Sequence, residues 1–244
     1  MFSPQGPTLR ELAVQALSST ERGYDLLAPK FDRTPFRTPD AVLDAVADGL
    51  EPLGPFDAGL DLCCGTGAGV ELLRKLCRSR VLGVDFSTGM LDIARASHPR
   101  QQPDGPVVDW LRADVRRLPL APAFDLAVSF GAFGHFLAEE RPTLFAEVHR
   151  ALLPGGLFAF PVAAPPRVGS LPYWTLRGFD AAMRVRNALL HPPFVMYYNT
   201  FPLPGVRTDL ERAGFTVETL PLPGFGRRDD GSPRGRLVLA RRRP

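Results

Sequence analysis

The chain has 244 residues, 45% hydrophobic and 23% charged, which fits one globular domain with an elaborated cap. Much of its net charge of +3 sits in Arg241, Arg242 and Arg243, a pattern that reads as a solvated basic tail; no aromatic residues interleave with it, which disfavours nucleic-acid binding. There is no basic-then-apolar leader and no membrane-spanning apolar run, and Cys63, Cys64 and Cys77 lack the spacing of a disulfide framework or a zinc site, so the expectation is a cytoplasmic protein without metal or membrane insertion.

Residues 9–18 show helical apolar spacing, and an aromatic-rich stretch follows from Tyr24 to Asp32. A second helix starts at Thr38-Pro39-Asp40 and continues to Leu50. Proline sits in its first turn, and Val42, Leu43, Val46 and Leu50 repeat at helical intervals. Residues 1–50 thus read as a helical cap or lid, and residues 51–244 as the main domain.

From residue 58 strand and helix alternate. Strands are expected at 58–63, 80–84, 109–112, 125–130 and 157–162, with helices at 69–77, 87–96 and 141–152 between them. Pro154-Gly155-Gly156 is expected to stop the last of these helices. After a helix at 206–213, strands at 216–220 and 236–240 complete the set. The alternation predicts an α/β fold, a doubly wound, Rossmann-like, mostly parallel seven-stranded sheet. Residues 163–205 interrupt it after the fifth strand, with a helix at 175–190 and the run Phe194-Val195-Met196-Tyr197-Tyr198. An insertion this long is more often functional than accidental.

The chemistry concentrates at Leu60-Asp61-Leu62-Cys63-Cys64-Gly65-Thr66-Gly67, a strand running into a glycine turn. Asp85 closes the next strand, Val81-Leu82-Gly83-Val84-Asp85, at the distance where an acid accepts hydrogen bonds from ribose hydroxyls. A dinucleotide fingerprint needs G-x-G-x-x-G, whereas Gly65-Thr66-Gly67-Ala68-Gly69-Val70 places its third glycine one position early. Asp61 also puts a carboxylate where a pyrophosphate would lie. A cationic ligand suits that charge better, although Asp61 could equally cap the helix that follows.

This D-x-x-C-G-T-G loop resembles the first motif of the class I S-adenosylmethionine-dependent methyltransferases, and the resemblance spans about residues 56–160. It implies S-adenosylmethionine as cofactor, with Cys63, Gly65 and Gly67 in the binding loop and Asp85 on the ribose. Phe86 and Met90 would contact the adenine, although Met90 also suits a helix core. Arg112-Ala113-Asp114-Val115 resembles the third motif, with Asp114 accepting the adenine amine and the Val115 amide meeting a ring nitrogen. The strand end at Ser129 and Phe130 would offer a carbonyl to the cofactor ammonium. Ser129-Phe130-Gly131-Ala132 lacks the N/D-P-P-Y/F of enzymes that hold a flipped base. Arg150-Ala151-Leu152-Leu153-Pro154-Gly155-Gly156 instead matches the small-molecule branch, including quinone methyltransferases.

Tyr24 is similar to an aromatic that relatives fold over the cofactor, and Arg37 is a candidate partner for the cofactor carboxylate. His135 is either a general base or a side chain packed on the site; His98, His149 and His191 read as surface or helix-face residues. Tyr173, Trp174, Phe194, Met196, Tyr197 and Tyr198 suggest an insertion that closes over a small apolar or aromatic acceptor. Methyl transfer to an O, N or C nucleophile of such an acceptor is the expected function. A non-enzymatic cofactor-binding protein and a nicotinamide-dependent oxidoreductase are the alternatives.

Overall fold

A computed structural model of the chain describes residues 6–16, 18–34, 36–190 and 202–244. Helices α1 (Leu9–Ala16), α2 (Thr20–Leu27) and α3 (Asp40–Leu50) precede β1 (Phe56–Leu62). The alternating part continues with α4 (Ala68–Leu76), β2 (Cys77–Asp85), α5 (Thr88–Ser97), β3 (Val107–Arg112) and β4 (Phe124–Ser129). Then come α6 (Arg141–Ala151), β5 (Leu152–Ala163), α7 (Leu171–Leu190), α8 (Leu203–Arg212), β6 (Phe215–Pro221) and β7 (Gly235–Arg242).

The seven strands form one sheet in the order β3-β2-β1-β4-β5-β7-β6. The first five are parallel, while β7 runs antiparallel to both β5 and β6. The mostly parallel seven-stranded sheet expected from the alternation is therefore present. Its strands are apolar on both faces because helices cover both. On β4, Leu126 and Val128 join a core with Leu43, Val46 and Leu50 of α3 and Val70 and Leu73 of α4. Phe124 and Ala127 join the opposite core with Phe145 and Val148 of α6 and Val206 and Leu210 of α8. Phe145, Phe158 and Phe160 are fully buried there, and each such side chain contributes about 1.5–3 kcal/mol relative to exposure.

From β1 the chain steps outward to β2 and β3, then returns to place β4 on the other side of β1. Such a reversal opens a crevice beyond the C-terminal ends of the strands, where ligands of open α/β sheets bind.

Some expectations need correction. The stretch around Tyr24, given no element of its own above, is helical: the Ser19 hydroxyl accepts a hydrogen bond from the Arg22 amide and caps α2, a signal that Gly23 in mid-helix obscures. Pro154-Gly155-Gly156 does not stop a helix, since α6 already ends at Ala151. The turn is instead a bulge inside β5, whose register against β4 jumps from Phe124↔Leu152 to Leu126↔Leu157. The terminal arginines are not a solvated tail. Arg241 and Arg242 lie in β7, where their guanidinium groups donate to the carbonyls of Gly155 and His149.

The N-terminal helices are tied to the ligand edge of the sheet by acids. The Asp25 carboxylate of α2 accepts from Ser87 Oγ at 2.6 Å and from the Gly89 amide at 2.8 Å, at the start of α5. Glu21 pairs with Arg112 at the end of β3, and Asp32 accepts from Thr66 Oγ1 at 2.6 Å in the glycine turn.

Candidate cofactor and acceptor site

The C-terminal ends of β1 to β4 border a cavity of about 500 Å³. Asp61, Cys63 and Gly65 line it from the first turn, Asp85, Phe86 and Met90 from the second, and Asp114 and Val115 from the third. Phe130 and His135 close it beyond β4, and Tyr24 and Arg37 reach it from the N-terminal segment. Gly67 and Ser129 stand behind the wall. The Ser129 hydroxyl donates to the Leu62 carbonyl at 2.9 Å and holds β4 to β1.

Gly67 is indispensable to the turn. Its φ is +98°, and a Cβ there would stand 2.6 Å from His98 Cδ2. His98 itself is a correction, because it is no surface residue. Its Nδ1 lies 2.7 Å from Glu71 Oε1 and its Nε2 lies 3.0 Å from the Thr66 carbonyl, which braces the turn from behind. Gly67→Ala is therefore expected to lower stability by about 1–3 kcal/mol. Urea unfolding of variant and wild type side by side checks this, and coincident midpoints would contradict it. His149 sits half-buried on α6 with its ring edge on Phe215, and burial together with Arg242 pulls its pKa down. His191 lies outside the described residues.

Asp61 takes the place at the start of the following helix that the sequence left open. It is buried under the first turn of α4, where the Val70 amide bonds it, and a Cβ on Gly69 would lie 2.8 Å from its Cγ. That contact explains the early third glycine. Yet among the described residues Asp61 Oδ2 has no hydrogen-bond donor, and an orphaned buried carboxylate oxygen is costly unless a ligand completes it. Burial and then the Asp85 charge push the Asp61 carboxyl well above the usual carboxylate range, against the Val70 amide.

This strain has a sign that can be measured. An unfolded aspartate ionises near 3.8, the folded Asp61 at higher pH. Between those values the folded chain keeps a proton that the unfolded chain has lost, so stability falls as pH rises through the window. Asp61→Asn is thus expected to raise the ligand-free Tm at about pH 8, the gain shrinking toward about pH 4, while weakening binding of S-adenosylhomocysteine by about tenfold. Differential scanning calorimetry with and without ligand tests both halves; a Tm below wild type at high pH would contradict them.

Asp85 is nearly sealed. Its Oδ2 accepts from the Gly65 amide and its Oδ1 from the Ser87 amide, each at 2.9 Å. Burial raises its pKa, with the amides of Ser87, Gly65 and Phe86 opposing. Because Asp25 holds Ser87 and Gly89, the cap helix indirectly fixes the orientation of Asp85. Burial also keeps Cys63 protonated, reinforced by Asp85 and Asp61, which makes it a wall residue rather than a nucleophile.

Asp114 meets a partner that the sequence did not announce. Arg116 forks onto it, with Nη2 2.8 Å from Oδ2, and reaches Glu140 Oε1 at 2.7 Å through Nη1. Burial disfavours ionised Asp114, but the Arg116 side chain and amide outweigh it and hold the carboxyl below the usual range. Arg37 is likewise engaged, with Nη2 2.8 Å from Asp40. Two other predicted residues meet directly: the Tyr24 hydroxyl lies 2.6 Å from His135 Nε2.

Sequence reasoning missed Phe31, Phe36, Arg116, Phe136 and Glu140 in the cavity wall. Glu140 carried a local cue, an acid at the start of a helix, and Arg116 stood two positions after Asp114. Tyr173 and Trp174 do not line the cavity, and Phe194, Met196, Tyr197 and Tyr198 lie outside the described residues.

Residues 60–156 match the family model of a methyltransferase domain. The chain belongs to the class I S-adenosylmethionine-dependent methyltransferase family. It is 32% identical over 155 residues to the 2-phytyl-1,4-naphtoquinone methyltransferase of Thermosynechococcus vestitus, a match covering 61% of this chain and 66% of that protein. The methyltransferase domain and its flanks span 43–66% of the length of the first curated relatives. An S-adenosylmethionine-dependent methyltransferase from Mesorhizobium loti superposes with a TM-score of 0.54 at 28% identity, over 82% of this chain and 100% of that one. The N-methyltransferase NodS from Bradyrhizobium japonicum, in complex with S-adenosyl-l-homocysteine, shares the fold at a TM-score of 0.62 and 18% identity, over 92% and 99% of the two chains.

Proposed function

We propose that this chain transfers the sulfonium methyl of S-adenosylmethionine to an O, N or C nucleophile of a small apolar acceptor of quinone-like character. One observation carries the reading. Three acids, Asp61, Asp85 and Asp114, stand at three strand ends around one cavity, and a buried oxygen of the first lacks a donor. That set fits a cationic nucleoside ligand and repels a pyrophosphate. Asp85 would hold the ribose hydroxyls, Asp61 the ammonium side, Asp114 and the Val115 amide the adenine edge, and Arg37 the carboxylate.

Bound there, the cofactor supplies an already activated electrophilic methyl group. The chain contributes alignment and dryness, which can account for about 7–11 kcal/mol of barrier lowering in favourable cases. Phe31, Phe36, Phe130, Phe136 and Leu137 furnish apolar wall for the acceptor. His135 Nε2, which lies 2.6 Å from the Tyr24 hydroxyl, can take the proton of an acceptor hydroxyl or amine that displaces that hydroxyl from it. The N-terminal helices act as the lid, anchored through Asp25 and Asp32.

The test is incubation with methyl-labelled S-adenosylmethionine and a small-molecule extract, followed by mass spectrometry. A labelled apolar product is expected. Binding of S-adenosylhomocysteine without any labelled product would contradict transfer.

A further inference from the structure

Helix α7 leaves a set of large apolar side chains in solvent. Leu171, Trp174 and Val185 project from one side of it and are 80%, 63% and 58% exposed, and Val168 just before the helix is 81% exposed. The opposite side, carrying Tyr173, Leu176, Asp180, Met183 and Asn187, is the less exposed one. A surface helix that packs on a core has one apolar stripe, turned inward, so the second, outward set is the one without a place in the fold.

The charge beside this stripe is equally uneven. Residues 164–190 and 226–236 hold eight arginines against three aspartates, more than the whole chain's net charge of +3. The two segments meet at the start of α7. There Arg167, Ser170 and Pro172 share a surface groove with Arg228, Asp229, Asp230 and Arg234, so that three arginines face two aspartates and Arg167 lies 4.0 Å from Asp229; the Ala164 amide donates to the Arg234 carbonyl at 2.8 Å, and Arg228 donates to Pro165.

We propose that this face docks on an anionic lipid bilayer, with α7 lying in the interface plane. Exposed aliphatic side chains and a tryptophan beside arginines are the composition of an interfacial helix: the apolar stripe enters the headgroup boundary and the guanidinium groups meet lipid phosphates. A second copy of the chain would cover the stripe but would bring the same positive charge onto the arginines. An anionic surface satisfies both halves at once. Among the described residues no helix is long and apolar enough to cross a membrane, so the contact is peripheral. The helix follows β5 from the same edge of the sheet that carries the cavity. If the acceptor is apolar, as proposed above, docking places the cavity beside the phase in which such an acceptor dissolves. The docking itself stands on the surface alone.

The experiment uses the full chain with vesicles of phosphatidylcholine alone or mixed with phosphatidylglycerol, read by flotation and tryptophan emission. Trp110 and Trp174 are the two tryptophans, and Trp110 is half-buried on β3. Expected are co-flotation with the anionic vesicles and its release by salt, a blue shift that Trp174→Phe removes while flotation persists, and loss of flotation in Leu171→Ser/Trp174→Ser. The double variant should lose binding by about tenfold or more while its circular dichroism and unfolding midpoint stay as in wild type. Arg167→Gln should weaken binding to anionic vesicles and flatten the salt dependence. No flotation with anionic vesicles at low salt would overturn the proposal. So would undiminished binding of a folded double variant, or a lipid-free dimer that the double substitution dissociates. None of these readouts uses S-adenosylmethionine, so failure here leaves the proposed activity to its own test.

Discussion

Replacing His135 with alanine is expected to lower turnover by about 10²–10⁴-fold while leaving the Kd for S-adenosylhomocysteine within about threefold. The asymmetry follows from position. His135 lies past the end of β4, in the part of the cavity proposed for the acceptor, whereas Asp61 and Asp85 sit in the turns that would hold the cofactor. A group used only in the proton-transfer step affects kcat and spares ground-state binding. Tyr24→Phe separates base from packing. It keeps the ring that packs edge-on against Phe31 and His135 and removes only the hydroxyl on Nε2. If His135 is the base, this variant should change the pH dependence of kcat and lower it far less than His135→Ala does. If His135→Ala instead weakens ligand binding and leaves kcat intact, the imidazole is a packing group.

Asp85→Ala should weaken binding of S-adenosylhomocysteine by about 10²–10³-fold. Two hydrogen bonds to an ionised acceptor are lost, each worth about 1.5–3 kcal/mol, partly offset by relaxation of the turn. The turn itself also suffers, because the Gly65 and Ser87 amides lose their acceptor. Asp85→Asn keeps the shape and should fall between, which separates the lost charge from the loosened loop. Because burial raises the Asp85 pKa, wild-type binding should weaken as pH falls through that raised value, at a higher pH than an exposed aspartate would show. Titration calorimetry across pH measures both effects; unchanged affinity in Asp85→Ala would remove the acid from the ribose.

The parallel sheet and its ligand edge could be read because the information is local. Apolar runs such as Leu126-Ala127-Val128, buried on both faces, leave little doubt about strand placement, and glycine turns mark the strand ends that gather the acids. The pairings across space could not be read. Nothing near Asp25 in the sequence names Ser87 and Gly89 as its donors, and His98 looked like a surface residue until the fold brought Glu71 and Thr66 to it. Arg116, two positions after Asp114, was close enough to notice, but whether a nearby guanidinium turns back depends on Glu140 holding its other end. The insertion was read by composition alone. Its aromatic residues suggested a lid, yet Trp174 is exposed and does not line the cavity.

The central claim is that the three acids make a site for a cationic sulfonium cofactor and its thioether product, not for a dinucleotide. Titration calorimetry of the ligand-free chain with S-adenosylmethionine, S-adenosylhomocysteine, NAD and NADP tests it most directly. The account predicts saturable binding of the first two, weakened together by Asp85→Ala, and no measurable heat from the dinucleotides. Tight binding of NAD or NADP with none of S-adenosylhomocysteine would contradict it.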